Sequence, residues 1–360
     1  MHIDDSLISW LKLSLIRGLG GEHARRLLKE FGSPESVLTA TADALKPFVK
    51  PDIVSAIRKG ISEETLSPAL VWLEDEQNHV VALGDADYPK ALLNIADPPL
   101  LLYVKGRLDL LNVAALAVVG SRNATPQGIG NAEEFSNLLS NAGLCIISGM
   151  AHGIDAAAHR GALRGKGGSI AVVGTGLDKV YPAANRDLAH QLARQGALVS
   201  EFPLGTPPIG TNFPRRNRLI SGMSLGCLVV EASQQSGSLI TARQAMEQGR
   251  DVFAIPGSIH SPQSRGCHKL IKQGAKLVET AEDILEELGG QFPQNKSDLM
   301  QGSPDQSDKL LDMMGFDPVD MDTLCQRTGL TVSQLSAMLL THELENRVAQ
   351  LSGGLFQRIH

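Results

Sequence analysis

Aromatic residues make up only 4% of this 360-residue chain, so ring faces for stacking against a ligand are scarce. Cysteine is scarcer still: Cys145, Cys227, Cys267 and Cys325 form no CxxC pair. That removes the usual thiol-metal and redox spacings, and Cys145 and Cys227 sit in apolar, strand-like runs where buried free thiols of a reducing cytoplasm are expected. No window is long and apolar enough to span a bilayer. The stretch from Leu7 to Ile16 carries Lys12 behind Asp4 and Asp5, the wrong charge pattern for a signal peptide. A cytoplasmic protein with no membrane contact is expected. Positive charge is also in deficit, with 33 Lys and Arg against 39 Asp and Glu for a net charge of -6. A surface coated all over with nucleic acid is thereby disfavoured, while one concentrated basic site remains open.

Such a site is present. Asn212-Phe213-Pro214-Arg215-Arg216-Asn217-Arg218 packs three arginines around one asparagine, just ahead of the apolar run Leu225 to Val230. Arginine offers a rigid fork of donors that matches phosphate oxygens, although a cluster of this kind also pairs readily with neighbouring carboxylates.

Four segments separate by pattern. Residues 1–85 read as a small helical domain, with apolar residues at helical spacing in Leu7 to Leu15 and Ala24 to Phe31. Between these, Arg17-Gly18-Leu19-Gly20-Gly21 resembles the turn of a helix-hairpin-helix (or SAM-like) element. Its amides could meet a phosphate, or it could simply join two packed helices. Residues 86–288 alternate helical patterns with continuous apolar runs at Leu116–Val119, Leu144–Ile147, Ile170–Val173, Ala197–Ser200, Cys227–Val230 and Val252–Ile255, with Lys276–Glu279 as an edge strand. Continuous runs suit strands buried on both faces, so a doubly wound α/β domain with a mostly parallel sheet is expected. Residues 289–308 are polar, with prolines and glycine, and read as a linker. Residues 309–360 show helices over Met321–Thr328 and Val332–Asn346 and a hairpin turning at Ser352-Gly353-Gly354, the outline of a winged helix.

In open parallel sheets, ligands bind beyond the carboxyl ends of the strands. Those ends are glycine-rich here. Gly120-Ser121-Arg122 follows the first parallel strand, Gly149 and Gly153 the second and Gly176 the third, while Ser236-Gly237-Ser238 and Gly257 lie beyond later strands. Amides at such turns and the helix starts behind them favour an anionic ligand. No Walker A loop, GxGxxG after the first strand or GxSxG elbow accompanies them, which weakens ATPase, dinucleotide and hydrolase readings. His152, Asp155 and His159 share helical spacing, but capping by Asp155 and packing by His159 explain them better than a metal would. No metal or cofactor is expected.

Assembled, these residues resemble the DNA-processing protein A family (DprA, also called Smf). The motifs are Val118 to Arg122, Ser148-Gly149, Gly153-Ile154-Asp155 with Ala158-His159, Gly176-Leu177-Asp178 with Tyr181-Pro182, and Ser200 to Pro203. They continue through Asn212 to Gly222, Val230-Glu231-Ala232, Ser236 to Ala242, Gly249-Arg250 and Phe253 to Gly257, in family order over about Ala114 to Glu279. The resemblance implies a Rossmann-like domain and a cytoplasmic homodimer without catalytic turnover. Such a protein binds single-stranded DNA, protects incoming strands and loads the RecA recombinase during natural transformation. It implies DNA contacts from Arg122 and the Asn212, Phe213, Arg215, Arg216, Asn217 and Arg218 group, with amides from the glycine crest. Many relatives place a lysine after Tyr181-Pro182 where this chain has Ala183, a loss for which Lys179 or Arg186 would compensate. Phe213 and Tyr181 are the only nearby stacking candidates, so phosphate contacts should dominate and sequence preference should be low. The tail carries Lys309, Arg327, Arg347 and Arg358 against six carboxylates, a net of -2 that suits a protein contact or dimer support better than DNA reading. The competing expectation is a nucleotide-processing hydrolase of the phosphoribohydrolase type, with Glu231 as its acid.

Overall fold

The computed structural model of the chain describes residues 4–289, 309–345 and 347–359. The chain opens with six helices: α1 (Asp5–Leu15), α2 (Gly21–Phe31), α3 (Pro34–Thr39), α4 (Ala42–Leu45), α5 (Pro51–Lys59) and α6 (Glu63–Trp72). Side-chain caps from Asp4, Ser33, Thr41 and Ser62 start four of them. Leu13, Leu27, Val37, Leu45 and Ile57 close a small core of their own.

A nine-stranded sheet follows, built from β1 (Asn78–Ala82), β2 (Leu101–Gly106), β3 (Ala115–Val119), β4 (Cys145–Ser148), β5 (Ser169–Val172), β6 (Ala197–Ser200), β7 (Gly226–Val229), β8 (Asp251–Ala254) and β9 (Lys276–Leu277). Its order is β1-β2-β6-β5-β4-β3-β7-β8-β9. The strands from β6 to β9 in that order run parallel, while β1–β2 and β2–β6 are antiparallel. The chain therefore winds outward from β3 to β6, returns beside β3 as β7 and winds the other way. Ridges of alternate side chains feed both faces. In β3, Ala115, Ala117 and Val119 join one core while Leu116 and Val118 join the other.

The helices between strands are α7 (Pro126–Asn141), α8 (Ile154–Leu163), α9 (Arg186–Gln195), α10 (Asn212–Gly222), α11 (Ser238–Glu247), α12 (Arg265–Lys272) and α13 (Ala281–Leu288). Residues of α7, α8 and α13 cover one face; those of α10, α11 and α12 cover the other. The doubly wound α/β expectation and all seven parallel-run strands are thus present. Two antiparallel strands were not foreseen, and β1 lies within residues 1–85, which had been expected to be helical. Its short run His79-Val80-Val81-Ala82 buries Val80 with Leu101 and Tyr103 against Leu11 of α1 and Leu66 of α6, so the edge hairpin joins the helical unit to the sheet. Short apolar runs of this kind carry too little periodicity to be separated from helix in sequence. Cys145, Cys227 and Cys267 are buried free thiols, and burial pushes each up to about 12.

The expected linker, 289–308, is described only at Gly289. Beyond it come α14 (Lys309–Met314), β10 (Val319–Asp320), α15 (Met321–Thr328), α16 (Val332–Leu344), β11 (Val348–Leu351) and β12 (Leu355–Arg358). The three strands form their own sheet, in the order β10-β12-β11. Helix α14 and strand β10 add to the helix-helix-hairpin outline, and Leu310, Leu324, Leu335 and Val348 fill the core between them. This winged helix rests against α7, where Gln357 Nε2 donates to Gln127 Oε1 at 3.1 Å. No helix of the described residues is long and apolar enough to cross a membrane.

Candidate functional site

The neighbouring strands β3 and β7 belong to the two oppositely wound halves, so the loops at their carboxyl ends diverge and leave a crevice. A groove of about 650 Å³ occupies it. Gly120-Ser121-Arg122 comes from the β3 loop, Ser236-Gly237-Ser238 from the β7 loop, and Phe213, Arg216 and Asn217 from α10. A side pocket adds Gly149, His152 and Pro182 around Arg122, Tyr181, Phe213 and Arg216.

Helix α10 sorts the arginine cluster. Pro214 sits in its first turn, where a missing N–H costs nothing, and Asn212 Nδ2 ties that turn to Gly174 O at 3.1 Å. At about 100° per residue, Phe213, Arg216, Asn217 and Ile220 share one face and Arg215 and Arg218 the opposite one. The first face lines the groove. The second turns to the helical unit, where Arg215 Nη2 and Arg218 Nη2 both meet Glu201 Oε2, the former at 3.2 Å. Arg218 also donates to Asp97 O, and Arg25 of α2 reaches Asp97 Oδ1 at 2.7 Å. Arg215 and Arg218, expected among the DNA contacts, therefore brace two parts of the molecule around a Glu201 carboxylate that is 3% exposed. The α2 start is occupied from the same side. A Cβ on Gly21 would lie 3.0 Å from both Arg25 Nη1 and Asp97 Oδ1, so this glycine turn is covered by an ion pair rather than open to an anion.

Arg216 forms the floor of the groove. It is 4% exposed, and its Nη1 donates to Val172 O at the end of β5. Burial lowers it to about 10, with Asp155 opposing that loss and Arg122 adding to it. The guanidinium is therefore cationic at neutral pH. Its neighbour Asp155, in the first turn of α8, accepts from Ala151 N at 3.3 Å; burial raises its carboxyl, and Arg216 pulls it back. Gly149 lies between them, where a Cβ would stand 2.3 Å from Arg216 Nη1 and 2.7 Å from Asp155 Oδ2. Only glycine admits that approach.

The rim is different in kind. Arg122 is exposed and lies 5.9 Å from the centroid of the Phe213 ring, and the Tyr181 ring packs against Phe213 with centroids 5.6 Å apart. Tyr181 is 46% exposed. Across the groove, Ser236 Oγ and Ser238 Oγ share a hydrogen bond of 2.7 Å at the start of α11, and Gly237 has open space around its Cα. Cation, ring and helix start thus converge on one crevice.

Several expected residues lie elsewhere. Gly153, at φ +73°, carries the tight turn into α8 and packs on Ser121 O; Ile154 N donates to that carbonyl at 3.1 Å. Gly176 spends its amide on Thr206 O at 3.1 Å, and a Cβ there would strike Asp178 and Pro203. Gly257 packs against Ser264. These glycines serve backbone packing, which parallel folds need at such turns in any case. Asn212 anchors α10, Lys179 lies 3.7 Å from Asp178, and Arg186 opens α9; none of the three lines the groove. Glu231 is turned away as well. It accepts from Thr125 N at 2.9 Å and Thr125 Oγ1 at 2.6 Å under the start of α7, and burial raises its carboxyl. A hydrolase acid at the crest would need the opposite orientation. His159 is fully buried with Nδ1 2.8 Å from Ser169 Oγ, and burial lowers it to about 3. No group of three or more His, Cys, Asp or Glu suited to a metal ion occurs among the described residues. Asp155, Asn123, Thr241 and Gln263 line the groove without having been singled out as ligand contacts, because only the fold carries their loops to the crevice.

Comparison with known proteins agrees with this architecture. A family model described as DNA recombination-mediator protein A matches residues 79–289, and the DprA winged helix domain matches 294–354. Protein Smf of Escherichia coli is 42% identical over 358 residues, spanning 96% of this chain and 94% of the relative. The structure of DNA processing protein A from Streptococcus pneumoniae superposes with a TM-score of 0.69 at 40% identity, over 80% of this chain and 99% of its own. That of DNA processing protein A from Helicobacter pylori, described for its single-stranded DNA binding mode, has a TM-score of 0.55 at 28% identity, over 60% and 98%. With a doubly wound sheet, a winged helix and a match across more than half its length, the chain belongs to the DNA recombination-mediator protein A family, the DNA-processing DprA/Smf proteins.

Proposed function

We propose that the groove holds the phosphate backbone of single-stranded DNA. The observation that carries this reading is the convergence of exposed Arg122, buried cationic Arg216 and the Ser236-Gly237-Ser238 helix start on one crevice at the switch point of the sheet. Phosphate oxygens meet charge at the rim and floor, while the Phe213–Tyr181 pair offers a ring face to one base. Contacts of this kind position a strand without reading its sequence. The single-stranded DNA binding mode of the Helicobacter pylori relative supports the same ligand. Following the family resemblance, the protein protects incoming strands and loads RecA during natural transformation, as a cytoplasmic homodimer without catalytic turnover. The described cations of the winged helix are engaged internally: Arg358 with Asp312 at 3.4 Å, Arg347 with Glu345 at 3.6 Å, and Arg327 with Met314 O. On α16, Leu340 and Leu344 are exposed, which favours a protein contact over a DNA-reading helix.

The test is Arg122→Ala, a substitution at the exposed rim that leaves the core intact. It should weaken single-strand binding equally across sequences and flatten the log-log salt dependence by roughly 0.7 per lost phosphate contact. A folded variant with unchanged affinity and slope would remove the groove from consideration. RecA filament assembly on strands coated with a single-strand-binding protein, with and without this protein, tests the loading role.

A further inference from the structure

A groove suited to an anion holds an acid of its own. Among the described residues that line it, Asp155 is the single carboxylate, buried in the first turn of α8. Ala151 N donates to it at 3.3 Å and fixes it at the floor. From the one point that a Cβ on Gly149 would occupy, Arg216 Nη1 is 2.3 Å away and Asp155 Oδ2 2.7 Å. The two atoms are therefore at most about 5 Å apart, within the range over which opposite charges favour each other's charged form.

That carboxylate is at odds with a phosphate ligand. A phosphodiester seated on Arg216 offers the guanidinium a second anion and faces Asp155 with a like charge in a buried site. The diester stays ionised at neutral pH, so the carboxyl is the group that can yield. Its surroundings agree. Arg216 of α10 and Arg122 of the β3 loop are the cations of the groove. His159, one turn further along α8, is lowered to about 3 by burial and stays neutral. Cys227 of β7 is a thiol pushed up to about 12 by burial and by the Asp155 charge. Exposed His152 lies on the adjoining loop, in the side pocket. Burial raises the Asp155 carboxyl and Arg216 pulls it back, a restraint that weakens once a phosphate engages the guanidinium.

We propose that Asp155 is the resident counter-charge of the groove, which partners Arg216 while the groove is empty and takes up a proton from water when a phosphate replaces it. The neutral carboxyl then donates to a phosphate oxygen instead of repelling it. Release of the strand returns the proton to water. This rests on the groove reading and adds its regulation. Because the bound state holds the proton more tightly, the grip on a strand strengthens as pH falls.

The test titrates the full chain calorimetrically with an oligothymidylate lacking a terminal phosphate, at about pH 7 and about pH 5.5, in two buffers of different ionisation enthalpy. The parent should take up protons on binding, and its affinity should rise about tenfold from about pH 8 to about pH 5. Asp155→Asn keeps an acceptor for Ala151 N; it should bind about tenfold more tightly at about pH 8 and lose the uptake. Uptake that persists in a folded Asp155→Asn, or that disappears in His152→Gln, would overturn the proposal. So would a parent whose binding enthalpy is the same in both buffers at both pH values, a result that stands even if Asp155→Asn does not fold. Failure of the parent to bind the strand at any pH would overturn the groove reading instead.

Discussion

The two faces of α10 carry the same residue type to opposite ends. On one, Arg216 forms the groove floor with Asp155 as its neighbour across Gly149. On the other, Arg215 and Arg218 grip Glu201, and Arg218 also reaches Asp97. A buried carboxylate with two guanidiniums is a finished network. A buried guanidinium held beside an open groove keeps charge available to a ligand. Identical side chains one or two residues apart thus divide between a closed ion-pair network and an open groove, and helical geometry makes the division.

The comparison breaks most easily at Arg218. Its removal leaves Glu201 with only the half-exposed Arg215, and Arg218→Ala should cost roughly 3–5 kcal/mol of stability in urea unfolding. Strand binding by the folded fraction should keep its salt slope, and a changed slope would place Arg218 in the groove after all. On the opposite face, Phe213→Leu should weaken single-strand binding by roughly 1–3 kcal/mol, as loss of one base-stacking surface does, while leaving the salt slope alone. Filter binding over a salt series separates these two signatures.

Acid should act on the Arg216 side through His159. Buried as the neutral imidazole, it is lowered to about 3 from the ordinary 6.5, so the unfolded chain takes up the proton first. The stability it contributes is complete above about 6.5 and is lost as pH falls toward 3, reaching about 1.4 kcal/mol by about pH 5.5. The carboxyls of Asp155 and Glu201 are raised and act in the opposite direction at lower pH. His159→Gln should flatten the loss between about pH 6.5 and 5.5 in thermal unfolding, and an unaltered pH profile would refute that assignment. The smallest effect belongs to Arg215, which is 57% exposed beside Glu201. Arg215→Ala should change stability by less than about 1 kcal/mol and leave DNA binding unaltered. A binding loss as large as that of Arg122→Ala would erase the difference between the faces.

Much of this was legible in the chain itself. The buried strands announced themselves as continuous apolar runs because both of their faces are covered, and the motif order from Val118 to Gly257 placed the family. The hairpin of β1 and β2 was not legible, since its short runs acquire meaning only against α1 and α6. Glycine misled in the other direction. Gly153, Gly176 and Gly257 carry the composition of a phosphate loop, but their Cα positions are packed against backbone or side chains.

By itself, then, the sequence determined the parallel sheet, the concentration of arginine and the scarcity of rings, because composition and hydrophobic patterning are properties of the chain before it folds. Which arginine faces the groove depended on tertiary structure. The helical phase of α10, the position of Glu201 beyond β6 and the divergence of the β3 and β7 loops come from segments far apart in the chain. Charge placed by fold, rather than charge counted along the chain, separates Arg216 from its neighbours.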